Sequence, residues 1–283
     1  MCRKQYQQEL QRQKLPTVWE IPDDMWHWIQ HLFPPEKPPR TPGRPVVPFR
    51  TVLNGILYVL RTGCQWKATP AIYGSGSTVH RRFQEWERAG IIHAILKLML
   101  RRYDHTRGIA WEWQAADTKM VPAPLGGSAT GPNPTDRSKC GTKRHLLIDG
   151  NGAPLGLHLS GANRHDMKGL ATLLGTGLLV SRPKPTRRKR QHLCLDKGYD
   201  YAEIDQLVTA HDYVAHIKRR GESDQPGIGE VVYPARRWKV ERTISWINNM
   251  RKLRIRWEKR AENYQALVML TSALILYRLI VLG

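Results

Sequence analysis

The strongest constraint on the fold is a hairpin signal in the middle of the chain. Two segments of strand length, Lys143–Ile148 and Pro154–Ser160, flank Asp149-Gly-Asn-Gly152, a turn-forming sequence typical of the link between antiparallel strands. Around this hairpin, segments of strand length alternate with segments of helical periodicity. The order is three strands, a helix, a strand, a helix, a strand and a helix. This order predicts an α/β fold in which helices pack on a mixed sheet.

Two of the predicted strands lead into a carboxylate. Asp117 and Asp196 are each predicted to lie just past the end of an apolar strand, the first in the segment Ala110–Met120 and the second after His192–Leu195. If the fold places these strands next to each other, the two carboxylates face one another across a cleft. The sequence therefore predicts an acidic site at this edge of the sheet.

A third acid lies in a strongly basic segment. Glu241 is the only acidic residue between positions 236 and 257, and at helical spacing it shares a face with Arg237. One carboxylate among cations suits a metal-dependent nuclease, in which the carboxylate holds the metal and the cations hold phosphates. The alternative interpretation is a solvated basic helix in which Glu241 pairs with Arg237.

The composition indicates a polyanionic partner. Lys and Arg number 45 against 24 Asp and Glu, which gives a formal net charge of +21. Such an excess favours nucleic acid or an anionic membrane as the partner. The apolar segment Ala266–Leu282 includes Arg278. A cation is costly inside a bilayer, so we interpret this segment as a helix of the protein core.

The N-terminal part is predicted to form a separate helical domain. We predict three regions: a disordered polar tail (1–19), a helical DNA-binding domain with a Pro-rich arm at 34–48 (20–108), and the α/β domain (109–283). A buried helix, a loop and a basic helix carrying His80, Arg81 and Arg82 are typical of a helix-turn-helix-like unit, whose second helix enters a major groove. Other small helical bundles share this pattern.

The cysteines and acids limit the choice of metal. Cys2, Cys64, Cys140 and Cys194 are far apart in the sequence and form no C-x-x-C pair, so a reducing compartment is expected. Three carboxylates without cysteine or paired histidine ligands fit Mg²⁺ or Mn²⁺ and fit zinc poorly. Phosphodiester cleavage at such a site uses two ions about 4 Å apart.

Five segments carry distinctive motifs: Asn54–Trp66, Pro132–His145, Leu159–Asp166, Leu195–Asp200 and Arg237–Thr243. In this order they resemble motifs of bacterial insertion-sequence transposases of the DDE class, in particular the insertion-sequence-five family. The resemblance covers roughly residues 20–280. The first segment is similar to the family's helical DNA-binding domain, and the other four are similar to its catalytic domain.

The resemblance implies a ribonuclease H-like catalytic domain whose catalytic and metal-binding carboxylates are Asp117, Asp196 and Glu241. Arg237 matches a basic residue of the family's last motif. Pro234 replaces the Tyr of that motif, and Asn248 replaces its later Lys or Arg. We expect contacts to DNA from basic residues of these motifs, of the turn after Asn248 and of the second N-terminal helix: Lys143, Arg144, Arg237, Arg251, Lys252, His80, Arg81 and Arg82.

The function implied by the resemblance is DNA transposition. We expect nicking at the ends of the element with Mg²⁺ or Mn²⁺, and then joining of the freed 3′-hydroxyl to target DNA without a covalent protein–DNA intermediate. The expected partners are double-stranded DNA and a further copy of the chain, in the bacterial cytoplasm at the nucleoid. Two alternatives are a non-catalytic DNA-binding protein derived from such an element and a basic RNA-binding protein.

Overall fold

The computed structural model of the chain describes residues 20–36, 38, 46–218 and 237–282. The predicted polar tail, part of the Pro-rich arm and the basic loop containing Pro234 lie outside the described residues. The chain divides into two compact units, Met1–Ile91 and Ile92–Gly283, each with its own internal contacts.

The boundary between the units falls earlier than the domain boundary expected at residue 108. It precedes the body of a helix that begins at Ile91 and that the expected boundary would leave in the N-terminal domain. The Tyr103 hydroxyl of this helix donates a hydrogen bond of 3.0 Å to Asp149, which lies in the hairpin turn of the second unit. Through this buried contact the helix packs on the α/β unit.

The first unit contains helices at the predicted places. Their bounds are α1 (Asp23–Ile29), α2 (Phe49–Thr62) and α3 (Gly76–Arg88). The core includes a cluster of aromatic rings. The ring centroids of Phe33 and Trp86 are 4.8 Å apart, and those of Phe49 and Trp86 are 5.7 Å apart. The edge-to-face geometry of both pairs is the favourable arrangement for aromatic side chains.

The connection between α2 and α3 is longer than the turn of a typical helix-turn-helix. Two short 3-10 turns, Trp66–Ala68 and Ala71–Tyr73, lie between the helices, where a helix-turn-helix has a turn of roughly 3–4 residues. The hydroxyl of Ser75 caps α3 and accepts a hydrogen bond of 3.2 Å from the Thr78 amide. Entry of α3 into a DNA groove therefore stays a prediction.

The second unit is built on the predicted mixed sheet. Its strands are β1 (Trp113–Pro122), β2 (Gly131–Pro132), β3 (Cys140–Ile148), β4 (Pro154–Gly161), β5 (His192–Leu195) and β6 (Val214–Ile217). The order is β2-β3-β1-β5-β6, and β4 also pairs with β3. β3 is antiparallel to its neighbours β1, β2 and β4, whereas β1, β5 and β6 are mutually parallel. These directions agree with the ribonuclease H-like fold that the sequence motifs imply.

Five described helices belong to this unit, and the first of them was expected in the N-terminal domain. They are α4 (Ile91–Arg107), α5 (Asp166–Gly175), α6 (Ala202–Ala210), α7 (Trp238–Asn248) and α8 (Ala261–Leu282). Of the described helices, α8 is the one long and apolar enough to cross a membrane. Most of its residues between Asn263 and Tyr277 are buried inside the protein, and Arg278 is exposed. The helix is therefore part of the core, as predicted.

The hairpin turn between β3 and β4 is organised by the carboxylate of Asp149. This residue is 1% exposed. It accepts hydrogen bonds from the Tyr103 hydroxyl at 3.0 Å and from the amides of Ala110, Asn151 and Ala153 at 3.0, 2.8 and 2.8 Å. The predicted turn is confirmed. Asp149 also links the turn to α4, through Tyr103, and to the segment before β1, through the amide of Ala110.

A buried arginine holds the segment before α8 against the loop that precedes β2. Arg256 is 1% exposed. Its guanidinium donates to the Thr142 hydroxyl and to four backbone carbonyls, those of Ser128, Ala129, Glu258 and Lys259. The buried charge is stabilised by these five hydrogen bonds, which is the condition under which an arginine is tolerated in a protein interior.

Candidate active site

Asp117 lies on β1, and Asp196 directly follows the adjacent parallel strand β5. β1 and β5 pair with Ala115 opposite Cys194, and each acid lies two residues further along the chain. Because the two strands run in the same direction, the acids come close to each other, and both line one cavity. Asp117 is inside β1 and not at its end, because β1 continues to pair with β3 as far as Pro122.

Helix α7 brings Glu241 to these acids through Arg237. The Nε and Nη2 atoms of Arg237 donate to one oxygen of Glu241, at 3.1 and 2.6 Å. Its Nη1 atom forms an ion pair with Asp196. The predicted pair of Glu241 with Arg237 is therefore present, and Arg237 connects it to Asp196. That Glu241 holds a metal stays a prediction.

The three acids act on one another electrostatically. Burial raises the pKa of Asp117, the Thr118 amide and the Arg237 guanidinium lower it, and the charges of Asp196 and Glu241 raise it again. A partly desolvated carboxylate beside two other acids is stabilised by any cation that enters the group. The site thus favours the binding of positive charge.

The chemistry of the donors suits a divalent cation, although Arg237 supplies the positive charge in this conformation. Carboxylate oxygens are the ligands that Mg²⁺ and Mn²⁺ prefer. Within the described ranges, no three His, Cys, Asp or Glu side chains are close enough to hold an ion as they stand. Because Arg237 pairs with two of the three acids, metal binding requires its guanidinium to move away from them.

A cavity of about 150 Å³ lies beside the two acids of the sheet, and Lys143 and Asp166 contribute to its wall. The Lys143 ammonium donates to the Arg164 carbonyl at 2.7 Å and pairs with Asp166 at 2.9 Å. Asp166 is the first residue of α5. Its position at the end of one of the family-like motifs is the signal that points to the site.

A chain of hydrogen-bonded side chains supports the same region. The Thr118 hydroxyl lies 2.7 Å from His145 Nδ1 and 3.0 Å from the Tyr199 hydroxyl, and His145 Nε2 lies 2.8 Å from the Ser160 hydroxyl. These residues come from β1, β3, β4 and the 3-10 turn after β5. Sequence reasoning missed this network because its members are far apart in the chain and follow no local pattern.

We expect the buried His145 to make the protein less stable as the pH falls from 6.5 towards 4. Burial and, to a smaller extent, the nearby His158 lower the pKa of His145 to about 4. The unfolded chain therefore binds more protons in this range than the folded chain, and acid favours unfolding. Urea titrations at pH 7 and 4.5 should show a loss of roughly 2–3 kcal/mol from this group.

The matched variant for this prediction is His145→Gln, which keeps a hydrogen-bonding side chain and removes the titration. Other histidines contribute to the pH dependence of both proteins, so the difference between the two proteins is the relevant quantity. An identical loss of stability in wild type and variant would contradict the assignment to His145.

The candidate DNA contacts of the first unit lie on α3. Arg81 and Arg82 both pair with Glu85, at 2.9 and 2.8 Å, and the Arg81 side chain is the more exposed of the two. The His80 ring stacks on Trp66 with 4.7 Å between the centroids. Arg81 is therefore the residue of this group most available to a phosphate.

The structure corrects the expectation that Arg144 contacts DNA. Its side chain is 0% exposed. Its Nη2 atom donates to the Asn248 side chain at 2.7 Å, and Nη1 lies 3.4 Å from the Tyr264 hydroxyl. This contact also accounts for Asn248 at the position where the family motif has a Lys or Arg. A cation there would face the buried guanidinium of Arg144.

Lys252 needs the same correction. Its side chain is buried and pairs with the equally buried Glu258 at 3.2 Å. The adjacent Arg251 is exposed on the 3-10 turn that follows α7. Of these two neighbours, only Arg251 keeps its place among the candidate DNA contacts, because a phosphate cannot reach Lys252 in this conformation.

The fold and the acids on it define a protein of the ribonuclease H-like class with a candidate acidic active site. Comparison with family models identifies the family. Residues 21–96 match a putative transposase of the IS4/5 family, and residues 113–276, more than half of the chain, match a transposase DDE domain. The chain therefore belongs to the DDE transposases of insertion sequences. It is a DNA transposase, and use of a divalent metal is a property of this family.

Relatives by sequence agree with this assignment. The chain is 36% identical over 148 residues to a putative transposase for insertion sequence element IS402 of Burkholderia cepacia, and the match covers 52% of this chain and 67% of the relative. It is 37% identical over 118 residues to an uncharacterized 16.2 kDa protein of the same element, covering 40% of this chain and 80% of that protein. The Mos1 mariner paired end complex with Mn aligns with 98% of this chain and 90% of its own chain at 11% identity, with a TM-score of 0.25, too low to support an argument.

Proposed function

We propose that this transposase nicks the ends of its insertion sequence and joins the freed 3′-hydroxyl to target DNA, with Asp117, Asp196 and Glu241 as the metal-binding carboxylates. The observation that supports the proposal is the parallel pairing of β1 with β5, which brings Asp117 of β1 and Asp196, the residue after β5, to the wall of one cavity. Glu241 reaches the same place from α7 through the shared Arg237. Acids in such an arrangement repel one another unless cations lie between them.

The proposed cofactor is Mg²⁺ or Mn²⁺, with two ions in each site. When bound, such ions stabilise negative charge on the attacking and leaving oxygens of a phosphodiester. The carboxylates of the chain hold and orient the cations. Arg237, once it leaves Asp196 and Glu241, pairs with a phosphate of the DNA, and Lys143 offers a second positive charge at the wall of the cavity.

The proposed partners are double-stranded DNA and a second copy of the chain. Exposed cations such as Arg81 and Arg251 contact the phosphate backbone. Because transposition joins two ends, we propose a homodimer or larger assembly on DNA, in the bacterial cytoplasm at the nucleoid. Analytical ultracentrifugation that detects only a DNA-bound monomer would contradict the assembly.

We expect nicks at the ends of the element when the purified protein is incubated with Mg²⁺ or Mn²⁺ and a plasmid carrying the DNA that flanks its gene. No nicks are expected with EDTA, because the carboxylates then lack the cations that the reaction needs. Mapping of the new 3′ ends by primer extension, followed by detection of joined products, measures both steps. Equal nicking with EDTA would contradict the proposal.

A second candidate function is DNA binding without catalysis. The observation in its favour is the pairing of Arg237 with two of the three acids. Under this hypothesis the guanidinium is a permanent counter-ion and no metal enters. Tight binding to the ends of the element without cleavage in either metal would favour this second function.

A further inference from the structure

Three side chains on one face of α7 donate hydrogen bonds to three consecutive carbonyls of the hairpin turn. Lys239 donates to the carbonyl of Gly150, Arg242 to that of Asn151 at 2.7 Å, and Thr243 to that of Gly152 at 2.9 Å. Positions 239, 242 and 243 have the i, i+3, i+4 spacing of a single helix face. The helix is therefore docked on the turn in a defined rotation about its own axis.

Glu241 projects from the other side of this helix. With about 3.6 residues per turn, positions 237 and 241 lie roughly opposite to the face that meets the turn. The pair of Arg237 with Glu241 and the link of Arg237 to Asp196 are formed on that side. One face of α7 thus contacts the turn, and the opposite face presents the third acid.

The turn is a rigid support. The buried Asp149 carboxylate accepts hydrogen bonds from the backbone amides of Asn151 and Ala153 within the turn. These bonds hold the carbonyl groups of the turn in place. Gly152 has a φ of +95°, and a Cβ added there would lie 2.9 Å from Arg242 Nη2 and 3.0 Å from Thr243 Oγ1. The helix therefore approaches the turn as closely as a glycine allows.

The arginine in this contact is itself immobilised. The Arg242 guanidinium carbon lies 4.9 Å from the Trp238 ring centroid and 4.5 Å from that of Trp246. The two rings come from positions four residues before and after it on α7. A guanidinium held between two indole faces loses little further freedom when it donates to the turn, because cation–π contacts already fix its plane.

We propose that the turn Gly150–Gly152 sets the rotation of α7 and thereby the position of Glu241, with Lys239, Arg242 and Thr243 as positioning residues. This inference rests on the proposed metal-binding function of Glu241. The hairpin turn, the most predictable local structure of the sequence, is then part of the catalytic apparatus although none of the residues Gly150–Gly152 lies in the acidic site.

The expected effect is large because rotation displaces a side chain further than a metal site tolerates. A rotation of α7 by about 20° would move a carboxylate about 6 Å from the helix axis by about 2 Å. Metal–ligand distances are fixed within roughly 0.2 Å. A small change at the turn therefore suffices to remove one ligand from the site.

The test compares Thr243→Val, which keeps the shape and removes the hydroxyl, with Thr243→Ser, which keeps the hydroxyl. Binding of Mn²⁺ alone to the full chain is measured by electron paramagnetic resonance, and nicking is measured over a range of Mn²⁺ concentrations. We expect about tenfold weaker Mn²⁺ binding for Thr243→Val, recovery of nicking at high Mn²⁺, and values near wild type for Thr243→Ser. Lys239→Met, a change at a partly exposed position, should shift Mn²⁺ binding in the same direction.

The control is Thr271→Val in α8. Thr243 and Thr271 are both fully buried. The Thr271 hydroxyl donates to the Leu267 carbonyl, four residues earlier, at 3.0 Å, and the Thr243 hydroxyl likewise lies 3.1 Å from the Lys239 carbonyl. Normal Mn²⁺ binding in this variant and weak binding in Thr243→Val would support the positioning role. Unchanged Mn²⁺ binding in both Thr243→Val and Lys239→Met, with an active wild type, would overturn it. A wild type that neither binds Mn²⁺ nor nicks DNA would overturn the proposed function itself.

Discussion

Asp196→Asn is expected to reduce nicking at the ends of the element roughly a thousandfold, because loss of a metal ligand removes several kcal/mol of transition-state stabilisation. Asn has the same shape as Asp but neither its charge nor its strength as a ligand. The change also frees Arg237 from one partner, so binding to DNA should be retained or slightly strengthened. Rates of nicking with saturating Mn²⁺ and electrophoretic mobility shifts at matched salt measure the two effects.

Asp212→Asn is the matched control for this prediction. It makes the same chemical change and adds the same unit of positive charge. Asp212 is exposed in the turn after α6 with a φ of 56°, a conformation that Asn accepts as readily as Asp. We expect wild-type nicking from this variant. Equal rates for the Asp196 and Asp212 variants would remove Asp196 from the catalytic set.

Asp149→Ala is expected to lower the free energy of unfolding by about 3–4 kcal/mol, because it leaves several buried donors without an acceptor. The Tyr103 hydroxyl and the Ala153 amide are among them, and both lie in the interior. The variant also releases the turn on which α7 is docked. Urea unfolding measures the effect. If the slope of the free energy of unfolding against urea concentration is the same in wild type and variant, the two proteins unfold between the same states.

Tyr103→Phe provides the graded comparison for Asp149→Ala. It removes one hydrogen-bond donor to the Asp149 carboxylate and leaves the hydrogen bonds from the three backbone amides in place. We therefore expect the free energy of unfolding to fall by about 1 kcal/mol. If the two variants were equally destabilised, the hydrogen bonds from the backbone amides to Asp149 would contribute nothing to stability. The role of Asp149 as the organiser of the turn would then be wrong.

The positions of Asp117 and Asp196 could be predicted from the sequence because the determining signals are local. Asp196 directly follows the short apolar strand β5, and Asp117 follows the apolar first part of β1. Short apolar segments of this kind are typical of buried strands that pair in parallel. The turn at Asp149 is local for the same reason. Even the pair of Glu241 with Arg237 follows from helical spacing alone.

The environments of Arg144 and Lys143 could not be predicted in this way. Strand β3 is covered on both faces, so the alternation that normally separates buried from exposed side chains is absent. The partner of Arg144 is Asn248, which lies 104 residues away in the chain. Whether a basic residue in a strand faces DNA or the interior depends on such distant partners, and a single sequence contains no signal for them.

The buried arginines also determine how the binding of DNA by this chain depends on salt. The formal net charge of +21 includes Arg144 and Arg256, which are 0% and 1% exposed and cannot displace counter-ions from a DNA backbone. Only cations that reach phosphates release such ions, and the slope of log affinity against log salt concentration reports their number. For this protein the slope reports only the basic residues that contact phosphates on the binding surface. The net charge of the chain therefore overstates how steeply salt will weaken the complex with DNA.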